Sequence, residues 1–217
     1  MNMQKEIAGI LEAEARAIKN IPVTSNVEKA IEKLFDCVHN HQGKIIVSGM
    51  GKAGQIAVNI ATTFSSTGSP AVFLHPADAQ HGDLGVIRAN DILLLISNSG
   101  KTREIIELFQ LAHKLHNALP VILITGNPKS PLAEAADITI STGGPKEVCP
   151  LGLTPTTSTT VMTVIGDILV VQLMKMIGFD NHDYALRHHG GYLGKKSRIA
   201  AERTKQEKSE GTPKRKK

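Results

Sequence analysis

The rhythm of apolar positions changes once along this chain, at about residue 43. Before that point Ile7, Ile10, Leu11 and Ile18 recur near the helical period, as do Val27, Ala30, Ile31, Leu34, Phe35 and Val38. Ser25 with Glu28 three residues later is a capping-box signature for the second of these helices. After His41-Gln42-Gly43, short apolar runs at 44–47, 71–74, 91–96, 121–125 and 138–141 alternate with longer helical stretches. Each run is bounded by Gly, Pro, Asn or Asp and is too continuously apolar for a strand with one wet face. Buried parallel strands joined by right-handed helical crossovers fit this pattern. The expected fold is α/β, a doubly wound three-layer αβα sandwich with a five-stranded parallel sheet and added N-terminal helices. A helix at 156–177 is apolar nearly all round, so it belongs either in the centre of the fold or in a subunit interface.

Composition narrows the setting. With 217 residues and 41% of them hydrophobic, the chain can bury a full core without a disulfide framework or a structural metal. Cys37 and Cys149 stand far apart, which points to a reducing cytoplasm. The N-terminus has no signal-peptide core, and the 156–177 stretch carries Asp167 and several Thr, short of a clean membrane span. A soluble protein with no membrane partner is expected. The net charge of +5 is uneven: residues 195–217 hold ten Lys or Arg and three Glu, a net of +7, and subtracting this from +5 leaves −2 for residues 1–194. Aromatics are 3% of the chain and Trp is absent, so bases would find little to stack on, and no nucleic-acid partner is expected. The organisation that follows is one domain over 1–194, its N-terminal helices at 1–43 included, and a basic, disordered tail over 195–217.

In doubly wound sheets ligands sit beyond the carboxyl ends of the strands, so the loops after each run matter most. The first ends in Ser48-Gly49-Met50-Gly51-Lys52-Ala53-Gly54, a GxGxxG match. A dinucleotide site would want an acid ending the second strand, which instead ends Phe73-Leu74-His75-Pro76. A P-loop would want Ser or Thr after Lys52. What remains is a turn that brings backbone close to a ligand and sets Lys52 at a helix start, or a plain tight turn. The third run ends in Ser97-Asn98-Ser99-Gly100-Lys101-Thr102 before a helix. Hydroxyls, a glycine and a helix N-terminus make a phosphate cradle, although ordinary capping uses the same residues. A second hydroxyl cluster, Thr154 to Thr160, opens the long apolar helix. His81, Glu104, Glu147, His188 and His189 are the acid–base candidates, each with a plain structural alternative.

Read together, these segments resemble the sugar isomerase (SIS) domain family, and within it the D-arabinose-5-phosphate isomerases. The pieces that carry the resemblance are Gly49-Met50-Gly51-Lys52, His75-Pro76 with Ala79-Gln80-His81-Gly82-Asp83-Leu84-Gly85, and Ser97-Asn98-Ser99-Gly100. Lys146-Glu147-Val148-Cys149-Pro150-Leu151-Gly152-Leu153-Thr154-Pro155-Thr156 and Ala185-Leu186-Arg187-His188 complete them. The resemblance implies a flavodoxin-like fold and a homotetramer with shared active sites. It also implies interconversion of D-ribulose 5-phosphate and D-arabinose 5-phosphate, feeding the eight-carbon acid Kdo of lipopolysaccharide or capsule. No cofactor or metal is implied. Lys52, Glu104, Glu147 and His188 match the family's catalytic positions. Ser48, Gly49, Gly51, His81, Ser97, Asn98, Ser99, Thr102, Thr157, Ser158 and His189 match or flank its substrate-binding ones.

The chemistry needs a base for the proton alpha to the carbonyl, a cation for the enediolate, and a group that moves protons between O1 and O2. Glu147 is assigned to the first task, Lys52 to the second, and His188 with Glu104 to the third. Burial is expected to raise the Glu147 pKa, making it a better base. The sequence departs from the family by ending without tandem CBS domains and by placing Lys101 where an acid is frequent. A variant Ala53-Gly54-Gln55-Ile56 also follows Lys52. Further, His189 replaces a proline, which leaves His188 or His189 as the active histidine. A sugar-phosphate sensor, or an isomerase of hexulose or heptulose phosphates, remains an alternative.

Overall fold

The computed structural model describes residues 2–210. Five parallel strands, β1 (Ile45–Gly49), β2 (Ala71–Phe73), β3 (Ile92–Ile96), β4 (Val121–Thr125) and β5 (Ile138–Ser141), form one sheet in the order β2-β1-β3-β4-β5. The three inner strands are buried along their whole length, which is why their sequences show no polar alternation. Successive side chains still face opposite layers. Ile45, Val47, Ile92, Leu94, Ile122 and Ile124 join one core, and Ile46, Leu93, Leu95, Val121 and Leu123 join the other. Asp91 pins the amino end of β3: its carboxylate accepts the amides of Lys44 (2.9 Å) and Arg88 (2.7 Å) and pairs with the Lys44 ammonium.

The first core is roofed by α2 (Ser25–Phe35), α3 (Lys52–Ser66) and α7 (Thr157–Met176), with α1 (Met3–Lys19) lying against α7. The short α4 (Pro76–Ala79) and α5 (Arg103–Leu115) pack together on the second face, with α6 (Pro131–Ala135) beside β4. Among the described residues α7 alone has the length and apolarity of a membrane-crossing helix, so it does not fall short as expected. Half of that stretch is nevertheless buried inside the domain, with Val161, Ile165, Leu169 and Leu173 in the core. Its apolar circumference serves a central position.

Three local expectations are corrected. Helix α2 starts after Thr24, and that residue makes no side-chain cap bond, so the Ser25–Glu28 box does not form. Its last turn widens into a π-turn over Asp36–Asn40, which carries Cys37 and Val38 into the core. The tail is not disordered from residue 195: after α8 (Asn181–Arg187), α9 runs from Gly191 to Glu210. Its Lys, Arg, Glu, Gln and Ala are strong helix formers. The Ser197 hydroxyl donates to Asn181 O at 2.5 Å, tying the two helices together. Residues 211–217 of the expected tail lie outside the described residues.

Candidate active site

The order β2-β1-β3 places the topological switch between β1 and β3, and a cavity of about 270 Å³ opens just beyond their carboxyl ends. Met50, Lys52 and Ala53 line one side, Ser97, Asn98, Ser99 and Thr102 the next, and Pro155, Ser158, Thr159 and Met162 the third. Three segments more than forty residues apart in sequence thus converge on one volume.

The first wall is set by close backbone contacts. A Cβ on Gly49 would lie 2.7 Å from Ala53 O, and Gly51 caps α3 at φ +60°, so the chain turns sharply and Lys52 opens the helix at the cavity. In the second wall, the Ser97 hydroxyl lies 3.1 Å from Thr102 Oγ1 and accepts the Gly100 amide at 3.2 Å. Thr102 is the N-cap of α5 by position, yet its hydroxyl bonds none of the first-turn amides. Plain capping does not account for these hydroxyls, whereas an anion at the helix start would use both them and the helix dipole.

Gly100 carries the tightest requirement here. It sits at φ +62°, and a Cβ would collide with the Ser130 side chain. Gly100→Ala is expected to cost about 1–3 kcal/mol of stability through strain and overpacking. Because the collision bends the cradle itself, thermal denaturation should show the loss alongside weaker binding of inorganic phosphate by titration. Unchanged melting and phosphate affinity would show that the loop tolerates the side chain.

The third wall brings in Glu147. Its Oε2 accepts Thr156 N (2.7 Å), Thr156 Oγ1 (2.9 Å) and Ser158 N (3.2 Å), so the carboxylate sits on the amino end of α7. The loop that carries it is tied down by Val148 N to Thr156 Oγ1 (3.2 Å), Gly152 N to Cys149 O (2.8 Å) and Thr154 N to Cys149 Sγ (3.3 Å). Hydrogen bonds from Thr154 lead in holding the Cys149 thiol down at about 7. The expected rise in the Glu147 pKa is corrected. Burial does push it up, but the hydrogen bonds from Ser158 and Thr156 together outweigh burial and hold it below its ordinary value.

Of the residues singled out in the sequence, Lys52, Ser97, Asn98, Ser99, Thr102 and Ser158 share the cavity, with Glu147 directly behind Ser158. The others do not line it. Ser48 is fully buried and its hydroxyl donates to Leu74 O at 2.6 Å, where it ties β1 to the end of β2. Thr157 is also buried, and its hydroxyl donates to Glu14 Oε1 at 2.8 Å, facing α1 and not the cavity. Glu104 lies half-buried in the first turn of α5, and His81 is exposed after α4. His188 stacks on Tyr184 with ring centroids 3.7 Å apart and contacts Tyr184 O through Nδ1 at 3.0 Å, while His189 is exposed. Both histidines follow α8, beyond the far end of α7. That 20-residue helix is about 30 Å long and begins at the cavity. Thr159 and Met162 were missed as lining residues. Thr159 lies in the hydroxyl cluster, and Met162 follows Ser158 by one helical turn.

The SIS domain family matches residues 39–172. An Escherichia coli (strain K12) arabinose 5-phosphate isomerase, KdsD, is 46% identical over 192 residues, 88% of this chain and 56% of the relative. The chain therefore spans about half the length of the curated relatives it matches. A Bacteroides fragilis crystal structure, described as a candidate phosphosugar isomerase involved in capsule formation, is 64% identical. It superposes with a TM-score of 0.87 over 88% of this chain and 100% of its own. An E. coli CFT073 protein in complex with arabinose 5-phosphate is 34% identical, with a TM-score of 0.80 over 86% of this chain and 97% of its own.

Proposed function

The chain belongs to the SIS domain family, and we propose that it is an aldose–ketose isomerase interconverting D-arabinose 5-phosphate and D-ribulose 5-phosphate through a cis-enediol. The observation that carries this reading is the meeting of Lys52 with the Ser97–Thr102 cradle and Ser158 around one small cavity, with the Glu147 carboxylate next to it. The cradle suits a phosphate that is held and not transferred, which leaves the far end of a five-carbon chain toward Lys52. Glu147 takes the C–H proton alpha to the carbonyl, Lys52 stabilises the enediolate, and Glu104 with His188 moves the proton between O1 and O2. The 46% identity to KdsD and the sugar-phosphate complex of the E. coli CFT073 relative support the choice of sugar. A cytoplasmic enzyme that supplies Kdo for lipopolysaccharide or capsule completes the reading.

His188 enters this scheme through assembly into a homotetramer with shared sites. Helices α8 and α9 pack on each other and expose Leu186, Tyr192, Leu193 and Ile199, while α1 exposes Met3, Ile7, Ile10 and Leu11. Apolar surfaces of this kind are suited to a second copy of the chain. His188 then serves a neighbour's cavity.

The test is to supply purified protein with D-arabinose 5-phosphate and follow D-ribulose 5-phosphate. Lack of turnover with that sugar and with hexose and heptose phosphates would sink the isomerase reading. Sharing is tested by co-expressing Lys52→Ala and His188→Ala chains, each inactive alone. If Lys52 and His188 of one site come from different subunits, random mixing restores about a quarter of wild-type activity. No recovery would mean that one site does not draw Lys52 and His188 from different subunits.

A further inference from the structure

The amino end of α7 is held by two carboxylates, and the proposed chemistry uses only one of them. Glu147 takes the Thr156 and Ser158 amides from the loop side. From the other side Glu14, on α1, accepts the Thr157 hydroxyl at 2.8 Å across a separation of 143 residues. Thr157 is 1% exposed, so this hydroxyl cannot turn to water instead. The second Glu14 oxygen, Oε2, is buried and, among the described residues, has no hydrogen-bond partner. A carboxylate held with one oxygen bonded and the other desolvated is costly to keep for stability alone. A helix this apolar could rest on α1 through Ala17, which already packs on the core.

We propose that Glu14 is a positioning residue of the active site. By fixing Thr157 it sets the rotation of the first turn of α7. That rotation turns Ser158 and Thr159 into the cavity and keeps the Thr156 and Ser158 amides on Glu147. Residues 157 and 158 point about 100° apart around a helix of 3.6 residues per turn. One side chain held on α1 therefore decides which hydroxyls face the substrate. This inference rests on the isomerase reading, and it makes α1 part of the catalytic apparatus although none of its residues lines the cavity.

The experiment compares wild type with Glu14→Ala, Glu14→Gln, Thr157→Val and the Glu14→Ala/Thr157→Val double variant. For each, kcat and KM for D-arabinose 5-phosphate, the Kd for inorganic phosphate and the melting temperature are measured. Glu14→Ala and Thr157→Val should each lower kcat about tenfold because the Glu147 carboxylate is misplaced, and should weaken inorganic phosphate binding with a matching rise in KM because Ser158 and Thr159 turn from the cavity. The double variant should be no worse than either single one, since both remove the same contact. Glu14→Gln keeps an oxygen for the Thr157 hydroxyl and should recover to within about twofold of wild type. A Glu14→Ala enzyme that melts lower but turns over normally, or a double variant with additive losses, would overturn the proposal. If wild type turns over no sugar phosphate, the isomerase reading has failed separately. Glu14 is then judged on phosphate: weaker binding in Glu14→Ala that Glu14→Gln restores upholds the role, and equal affinity in all variants removes it.

Discussion

Glu147→Gln is expected to lower kcat by about 10²–10⁴-fold, the range for removing a general base, while leaving the fold in place. The amide oxygen of Gln can still accept the Thr156 hydroxyl and the Thr156 and Ser158 amides that now meet Oε2. What it cannot do is take a proton from carbon. Steady-state kinetics with D-arabinose 5-phosphate, read beside a melting curve, separates lost chemistry from lost structure. If kcat stays within about tenfold of wild type, a general base has not been removed. The same measurement on Glu104→Gln would then locate the base on α5.

The depressed pKa of Glu147 sharpens this prediction. A carboxylate held by three hydrogen bonds is a weaker base than a free one, so the proposed base gains strength if substrate displaces some of those donors. In the free enzyme, Glu147 is ionised at every pH above its ordinary value of 4.5. Any acid limb of kcat/KM within the neutral range is therefore expected to come from other groups. Stability follows the same sign. A folded-state pKa below the unfolded one contributes stability that is present above 4.5 and is lost as pH falls through the folded value. The stability gap between wild type and Glu147→Gln should accordingly narrow in acid and hold steady at neutral pH.

The strands were legible because burial on both faces writes itself into sequence as an unbroken apolar run, and β1, β3 and β4 are buried end to end. Parallel pairing then put the Gly-rich loop after β1 and the hydroxyl loop after β3 at the same edge, where they meet. Rotation about a helix axis was not legible. Thr157 and Ser158 are neighbours of like chemistry, and only tertiary contacts with Glu14 and Glu147 decide which one faces the cavity. Ser48 misled for a related reason. A serine at the end of a strand suits a ligand, but here its hydroxyl donates to the carbonyl of Leu74, just past β2. The charged tail misled because its net charge suggested solvation, while its residue types favour a helix once Ser197 docks on Asn181. The sign of the Glu147 shift required the hydrogen bonds themselves, since burial alone argues the other way.

Lys52→Met is expected to lower kcat by about 10²–10³-fold, the effect of removing one preorganised donor from a developing oxyanion. Two roles are open to an ammonium at this place, and the kinetics divide them. If Lys52 only held the ground-state phosphate, its loss would raise KM and spare kcat. The geometry argues for the other role: the Ser97–Thr102 loop already presents hydroxyls and the start of α5 to a phosphate, whereas Lys52 enters from α3 on a different wall. A cation on a wall other than the phosphate cradle is free to meet the negative charge that appears only during enolisation, so the loss should fall mainly on kcat. Lys52→Arg should recover little, because a planar guanidinium is longer and does not place its charge as a single point in a cavity of about 270 Å³. A Lys52→Met enzyme with wild-type kcat and raised KM would move Lys52 into the phosphate site and leave the enediolate to be stabilised by another donor.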